Sequence, residues 1–265
     1  MALPHTATTC WVFSNFLLRF YPRFSKNFFP FRKRLAKGGV PVYHKKGPGS
    51  PGKSENEVES MRVLLLNGSP RSGGNTAVAL AEMEKVFHGE GIETEVVLVG
   101  NKAIRGCVAC GSCGEKGKCV FDDLVNEVAP KFAAADGLVA ATPVYYASAN
   151  GTLISFLDRL FYSTPFDKTM KVGAALAVAR RGGVSATYDE LNKYFAISGM
   201  PIAASQYWNA VYGREKGESA QDAEGMQTMR TLARNMAFLM KSIALGKERY
   251  GLPEKEPFQR TNFIR

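Results

Sequence analysis

From Met61 onward the apolar positions alternate between two periods. Val63-Leu64-Leu65-Leu66 is a short apolar run, and Arg62–Leu66 predicts a first strand. From Asn75 to His88 the spacing becomes helical, with Leu80, Met83 and Phe87 on one face. Thr94–Leu98 predicts a second strand. Leu124, Val128 and Phe132 then form the apolar stripe of a helix opened by Asp122 and Asp123, whose charge suits the positive end of the helix dipole. Gly137–Ala141 predicts a third strand and Leu153–Phe161 a helix. Val172–Ala179 is almost unbroken in its apolarity, as expected for a strand covered on both faces. A helix over Ser185–Ile197 and a strand near Ile202–Gln206 follow. Met229, Leu232, Met236, Leu239 and Ile243 mark the last helix, with Asp222 and Glu224 as its cap and dipole partners.

Strands separated by helices imply an α/β fold, one doubly wound five-stranded parallel sheet. In the strand order 2-1-3-4-5, ligands sit beyond the carboxyl ends of strands one and three, where the winding reverses. Two loops with ligand chemistry follow those two strands.

Charge changes the picture only at the amino terminus. The formal net charge is +10. Residues 1–60 hold ten Lys/Arg against three Glu, so +7 lies there and +3 in the remainder. The basicity therefore belongs to an extension, and no nucleic-acid partner is expected for the folded part. The extension is Gly/Pro/Lys-rich from Lys37 to Lys53, a composition that predicts disorder. Its apolar patch from Cys10 to Phe20 is too short to span a bilayer, so no membrane partner is expected. Three readings stay open for residues 1–60: a disordered tail, an Arg-rich transit-like segment, or a start assigned too far upstream of Met61. The expected organisation is then a domain over 61–245 and a carboxyl-terminal tail over 246–265, in a cytoplasmic protein.

After the first strand comes Asn67-Gly68-Ser69-Pro70-Arg71-Ser72-Gly73-Gly74-Asn75-Thr76. Glycines, hydroxyls and one arginine at a helix start offer N–H donors and positive potential to a phosphate. A plain polar turn is the simpler alternative. Neither G-x-G-x-x-G nor G-K-[ST] is present, which disfavours a Rossmann or Walker loop. Pro143-Val144-Tyr145-Tyr146 follows the third strand and offers walls to a flat heterocycle; packing at a strand end is the alternative. Arg180-Arg181-Gly182-Gly183 follows the fourth strand at the same rim, with glycines that admit close backbone approach.

The first loop resembles that of flavodoxin-like flavoproteins, in which a loop of the N-G-S-P-R-x-x-G-N-T kind holds the phosphate of FMN. Together with Asp122-Asp123, Pro143–Tyr146 and Phe156-Leu157-Asp158-Arg159, it is similar to the NADPH-dependent FMN reductase group of that superfamily, over roughly Met61 to Ile243. The resemblance implies a flavodoxin-like fold, with FMN bound through Ser69, Arg71, Ser72, Asn75 and Thr76. It also implies ring contacts from Pro143, Val144, Tyr145 and Tyr146, with Arg180 and Gly182 at the rim. NAD(P)H as co-substrate and a homo-oligomer, dimer or tetramer, are implied as well. One departure is Ile154, where relatives usually carry Lys.

Four of the five cysteines lie in one loop, Cys107-x2-Cys110-x2-Cys113-x5-Cys119. Such density suggests a metal centre, and thiolates at this spacing can wrap a [4Fe–4S] cluster, with Gly106, Gly111, Gly114 and Gly117 for the turns. The last gap and Val120 differ from the ferredoxin run, whereas the loop resembles the compact motif of iron-sulfur flavoproteins. Zinc, or free redox thiols, are the alternatives. No protein side chain is expected to be catalytic, because flavin carries the chemistry. The leading expectation is an FMN-dependent NAD(P)H oxidoreductase serving a small-molecule electron acceptor such as flavin, quinone, a nitro compound or iron. The alternative is an electron carrier fed by a ferredoxin-like donor.

Overall fold

A computed structural model of the chain describes residues 60–257 together with 259, 261 and 263. The expectations for the basic extension before Ser60, including Cys10, His5 and His44, lie outside the described residues. The strands are β1 (Arg62–Asn67), β2 (Glu93–Leu98), β3 (Gly137–Tyr145), β4 (Ser148–Ala149), β5 (Val172–Ala179) and β6 (Ala210–Tyr212). The helices are α1 (Asn75–Gly89), α2 (Cys113–Lys116), α3 (Leu124–Ala134), α4 (Gly151–Ser163), α5 (Val184–Ile197) and α6 (Ala223–Tyr250), with a 3₁₀ turn at Glu218–Gln221. Five strands run parallel in the order β2-β1-β3-β5-β6, and β4 is a short antiparallel arm on the end of β3. Without that arm the order is the expected 2-1-3-4-5.

Strand alternation explains how one sheet feeds two cores. Val63 and Leu65 of β1 join Leu80, Met83 and Phe87 of α1 and Met229, Leu232 and Met236 of α6 on one face. Leu64 and Leu66 join Val128 and Phe132 of α3, Leu153, Phe156 and Leu160 of α4, and Leu191 and Phe195 of α5 on the other. All eight residues of β5 are buried, which accounts for the unbroken apolar run. Truncating any of these buried leucines to alanine costs about 2–5 kcal/mol.

The strand expected near Ile202–Gln206 is corrected. Ile202 makes a single parallel bridge to Gly173, and the chain then leaves the sheet and returns as β6. Asn209, fully buried, is the physical reason. Its side-chain amide donates to the carbonyls of Ala175 (3.0 Å) and Ala203 (3.4 Å), while the Asn209 main-chain carbonyl accepts the Ala177 N–H (3.0 Å). A side chain thus takes the place of a ladder rung. Asp222 caps α6 through the Gly225 N–H (2.9 Å) and also accepts the N–H of Tyr212 (2.7 Å). The helix runs on to Tyr250. Among the described residues no helix is long and apolar enough to cross a membrane.

Candidate functional site

The β1–α1 loop is shaped by its own side chains. Asn67 accepts the Ser69 N–H at its side-chain oxygen (2.9 Å), Ser69 Oγ accepts the Arg71 N–H (3.2 Å), and Gly74 N–H closes onto the Arg71 carbonyl (3.2 Å). Gly73 sits at φ +64°, the left-handed region that glycine occupies without penalty. The helix that follows has no side-chain cap and no acid in its first turn. Its leading N–H groups, at Asn75, Thr76 and Ala77, have no intrahelical acceptors and carry the positive end of the dipole. Helices α3, α4 and α6, by contrast, are capped by Asp123, Asn150 and Asp222. Ser69 and Thr76 are buried beside this helix start, whereas Arg71 and Ser72 are exposed.

The β3 end is a two-residue hairpin. Tyr145 pairs with Ser148, and the central Tyr146 and Ala147 have φ of +51° and +58°. Such turns usually place Asn or Gly at these positions, so two ordinary side chains here store about 1–3 kcal/mol each of strain. Two contacts brace it. Glu190 of α5 accepts the Ser148 hydroxyl (2.8 Å) and the Ala149 N–H (2.8 Å). Gly183, at φ +92°, lies so near that a Cβ there would stand 2.8 Å from Val144 Cγ1 and 2.9 Å from Ala147 Cα. Pro143 and Val144 are half-buried, Val144 against Ala177, Ala179, Val184 and Ala210, and Tyr145 and Tyr146 are exposed, Tyr146 completely. The β5–α5 loop therefore abuts the hairpin, with Arg180 and Gly182 exposed beside it. Asn67 and Ala141 are register partners, and Pro143 pairs with Val178, so all three expected loops share the carboxyl rim of the sheet.

A fourth segment reaches this rim that the motifs did not reveal. Residues 213–219 fold back onto α1: the Ser219 N–H donates to Asn75 Oδ1 (3.1 Å), and Ser219 Oγ donates to the Asn75 carbonyl (3.2 Å). Lys216 is thereby carried to the β1–α1 loop. A Cβ on Gly73 would lie 3.5 Å from Lys216 Cε. Glu218 shapes the turn by accepting the N–H groups of Arg214 (2.6 Å) and Glu215 (2.7 Å), which hold its carboxyl below its usual value.

The four cysteines line one small cavity of about 20 Å³, together with Phe121, Arg159 and Tyr162. That volume is room for about one water, and among the described residues no set of three or more ligating side chains stands in metal-binding geometry. Cys107 and Cys110 are exposed, Cys113 and Cys119 half-buried. Of the glycines expected to turn the loop, Gly111 and Gly117 have positive φ, and Ala109 joins them. The Ser112 N–H and hydroxyl draw the Cys110 thiol below its ordinary value. Arg159 of α4 is 1 % exposed. It forms a forked pair with the Asp123 carboxylate (2.7 and 2.9 Å) and directs Nε and Nη2 at Cys119 Sγ (3.3 and 3.2 Å). Burial works against its charge, but the bonds to Asp123 and Cys119 outweigh that and hold the guanidinium above its usual value. Four cysteines lining one cavity, with Cys119 accepting from a buried cation, have the donor chemistry of a soft metal centre held by thiolates, although their side chains are not drawn together into ligating geometry in this structure.

A larger cavity, about 570 Å³, opens at the opposite end of the sheet among Asp136, Asp167, Lys171 and Lys247. It shares no residue with the rim or the cysteine loop.

A family model described as NADPH-dependent FMN reductase matches residues 61–215. An iron-sulfur flavoprotein of Methanocaldococcus jannaschii is 33% identical over 194 residues, 69% of this chain and 99% of that protein. Another, from Methanosarcina thermophila, is 31% identical over 194 residues, 71% of this chain and all of that protein (100%). Among solved structures, RosB with bound 8-demethyl-8-formylriboflavin-5'-phosphate superposes with a TM-score of 0.55 at 19% identity, covering 78% of this chain and 94% of that one. The flavoenzyme FerB of Paracoccus denitrificans gives 0.53 at 12% identity, over 69% and 98%. At such identities these two superpositions speak for the flavodoxin-like fold alone.

Proposed function

The chain belongs to the NADPH-dependent FMN reductase family, and on that premise we propose that it is a flavin-dependent redox protein of the iron-sulfur flavoprotein kind. In this reading FMN sits at the carboxyl rim of the sheet and a [4Fe–4S] cluster at Cys107, Cys110, Cys113 and Cys119. What supports it is that these four cysteines line one cavity, with the buried Arg159 directing two N–H groups at Cys119 Sγ. When bound, flavin supplies the exchange between two-electron and one-electron chemistry, and the cluster supplies single-electron steps.

The chain's own part is binding and orientation. The first-turn amides of α1, with the Ser69 and Thr76 hydroxyls, receive a phosphate, and Arg71 and Lys216 neutralise its charge from either side. The braced hairpin Pro143–Tyr146 and the adjoining Arg180–Gly182 loop hold the flat ring. The strain at Tyr146 and Ala147 fixes the hairpin's aim before any ligand arrives.

A second reading, an NAD(P)H oxidoreductase passing electrons to a small acceptor without a cluster, is favoured by the fully exposed Tyr146 beside the exposed Arg180. That arrangement leaves the rim open to an incoming nucleotide. Anaerobic purification followed by a visible spectrum, iron and sulfide assays and FMN fluorescence titration tests both. About four irons with tightly held FMN supports the first. FMN without iron, together with rapid NADH or NADPH oxidation, supports the second. Protein that is colourless and cannot be saturated with FMN overturns both. Arg71→Ala is expected to weaken FMN binding about tenfold, as loss of one charge-assisted phosphate contact implies.

A further inference from the structure

Arg159 is the charged side chain that α4 commits to the cysteine loop, and its contacts span that loop from end to end. Nη1 donates to the Arg105 carbonyl (3.3 Å), just before Cys107, and to Asp123 Oδ2 (2.7 Å). Nη2 donates to the Phe121 carbonyl (3.4 Å), just after Cys119, and to Asp123 Oδ1 (2.9 Å). The guanidinium lies 5.2 Å from the Phe121 ring centroid, and Arg105 lies 4.5 Å from the same ring. Asp123 is itself fixed, because it caps α3 through the Val125 N–H (3.1 Å). Cys119 is fixed independently: its N–H and carbonyl both bond the Asn126 side chain (3.0 Å each). The donors therefore meet the Cys119 sulfur from a rigid frame. Besides its bonds to Asp123 and to the Arg105 and Phe121 carbonyls, the buried guanidinium gives two N–H groups to a single sulfur, at 3.3 and 3.2 Å. In a water-poor site they stabilise negative charge on that sulfur.

We infer that Arg159 is a positioning residue for the cluster. It sets the Cys119 sulfur in place and, through its two N–H···S bonds, shifts the reduction equilibrium of a cluster bound there toward the reduced form. The inference rests on the iron-sulfur reading above and adds the residue that controls the potential. The physical basis is that the reduced cluster carries one more negative charge, delocalised onto its sulfurs, so donors to those sulfurs favour it.

The test is a dye-mediated potentiometric titration of the anaerobically purified full chain. Dithionite is the reductant, and the electron paramagnetic resonance of the reduced cluster is the readout. Iron and sulfide content are measured on the same samples. Arg159→Gln is expected to keep its iron and to shift the reduction equilibrium about tenfold toward the oxidised form, about 59 mV for a one-electron couple. Arg159→Lys, which keeps the charge but loses the fork, is expected to fall between Gln and wild type. A wild-type chain without iron overturns the iron-sulfur reading and the inference together. Iron-replete variants at the wild-type potential overturn the inference alone. Where Arg159→Gln folds but loses iron, Arg159→Lys and Arg159→Met decide: iron regained with Lys and not with Met supports positioning by the cation, and iron held by Met at the wild-type potential overturns it.

Discussion

Asn75 holds Ser219 by two hydrogen bonds, one to its side-chain oxygen and one to its main-chain carbonyl, although 144 positions separate the residues. The first residue of α1 thus ties the segment carrying Lys216 to the β1–α1 loop. In the proposed function its main-chain amide also belongs to the phosphate site, so structural and binding roles can be separated by one atom. Asn75→Asp keeps the acceptor for Ser219 and places a carboxylate beside the proposed phosphate site. Folding stability is expected to change by no more than about 0.5 kcal/mol, while FMN affinity falls at least about tenfold through like-charge repulsion. Thermal unfolding and flavin fluorescence titration check the two halves.

Gly183 is required by both conformation and space. At φ +92°, with Val144 Cγ1 only 2.8 Å from a would-be Cβ, Gly183→Ala must push the β5–α5 loop off the hairpin. The expected cost is about 1–3 kcal/mol, read as a lower urea midpoint with an unchanged slope.

Glu190 restrains the strained hairpin from α5. In Glu190→Ala the Ser148 hydroxyl and the Ala149 N–H lose their acceptor, and the turn at Tyr146–Ala147 loses its brace. Amide exchange at Ala149 should quicken by tenfold or more, the equivalent of about 1.4 kcal/mol of local stability, while exchange in the buried strand β5 changes far less.

Glu82 predicts a pH dependence. Hydrogen bonds from Arg230 (2.6 Å) and Lys85 (2.9 Å) hold its carboxyl below the ordinary value. A carboxyl depressed in the folded state contributes stability that is complete above its unfolded pKa, about 4.3. That contribution disappears as pH falls through the folded value. The stability gap between wild type and Glu82→Gln should therefore be constant above about pH 5.5 and close steadily below about pH 4.5. Urea midpoints across that range measure it.

Much of this architecture is legible in the chain's periodicity. Val172–Ala179 reads as a doubly covered strand because burial on both faces removes polar alternation, and α1 shows its stripe in Leu80, Met83 and Phe87. The rim loops are legible because glycine, proline and hydroxyl residues mark turns directly. The interruption by Asn209 is not, since a side chain standing in for a ladder rung leaves no periodic trace. Lys216 is illegible for another reason: long-range return to α1 depends on Ser219, one small residue in a polar stretch. Arg159 did leave a signal. It sits between Phe156, Leu157 and Leu160 on a helix whose neighbouring positions are buried, where an arginine survives only with a partner. The sequence names Asp122 and Asp123 nearby but does not say which of them turns toward it.

The pairing of Tyr212 with Asp222 has a consequence for self-association. In a parallel ladder alternate N–H groups face away from the neighbouring strand, and on β6 the outward donor at Tyr212 is already taken by a carboxylate. With only three residues in β6 and a detour before it, that flank offers another molecule no continuous row of donors and acceptors to extend. Copies of this chain that meet across this flank must do so through side-chain surfaces, and the flank is protected against the runaway stacking that exposed strands invite.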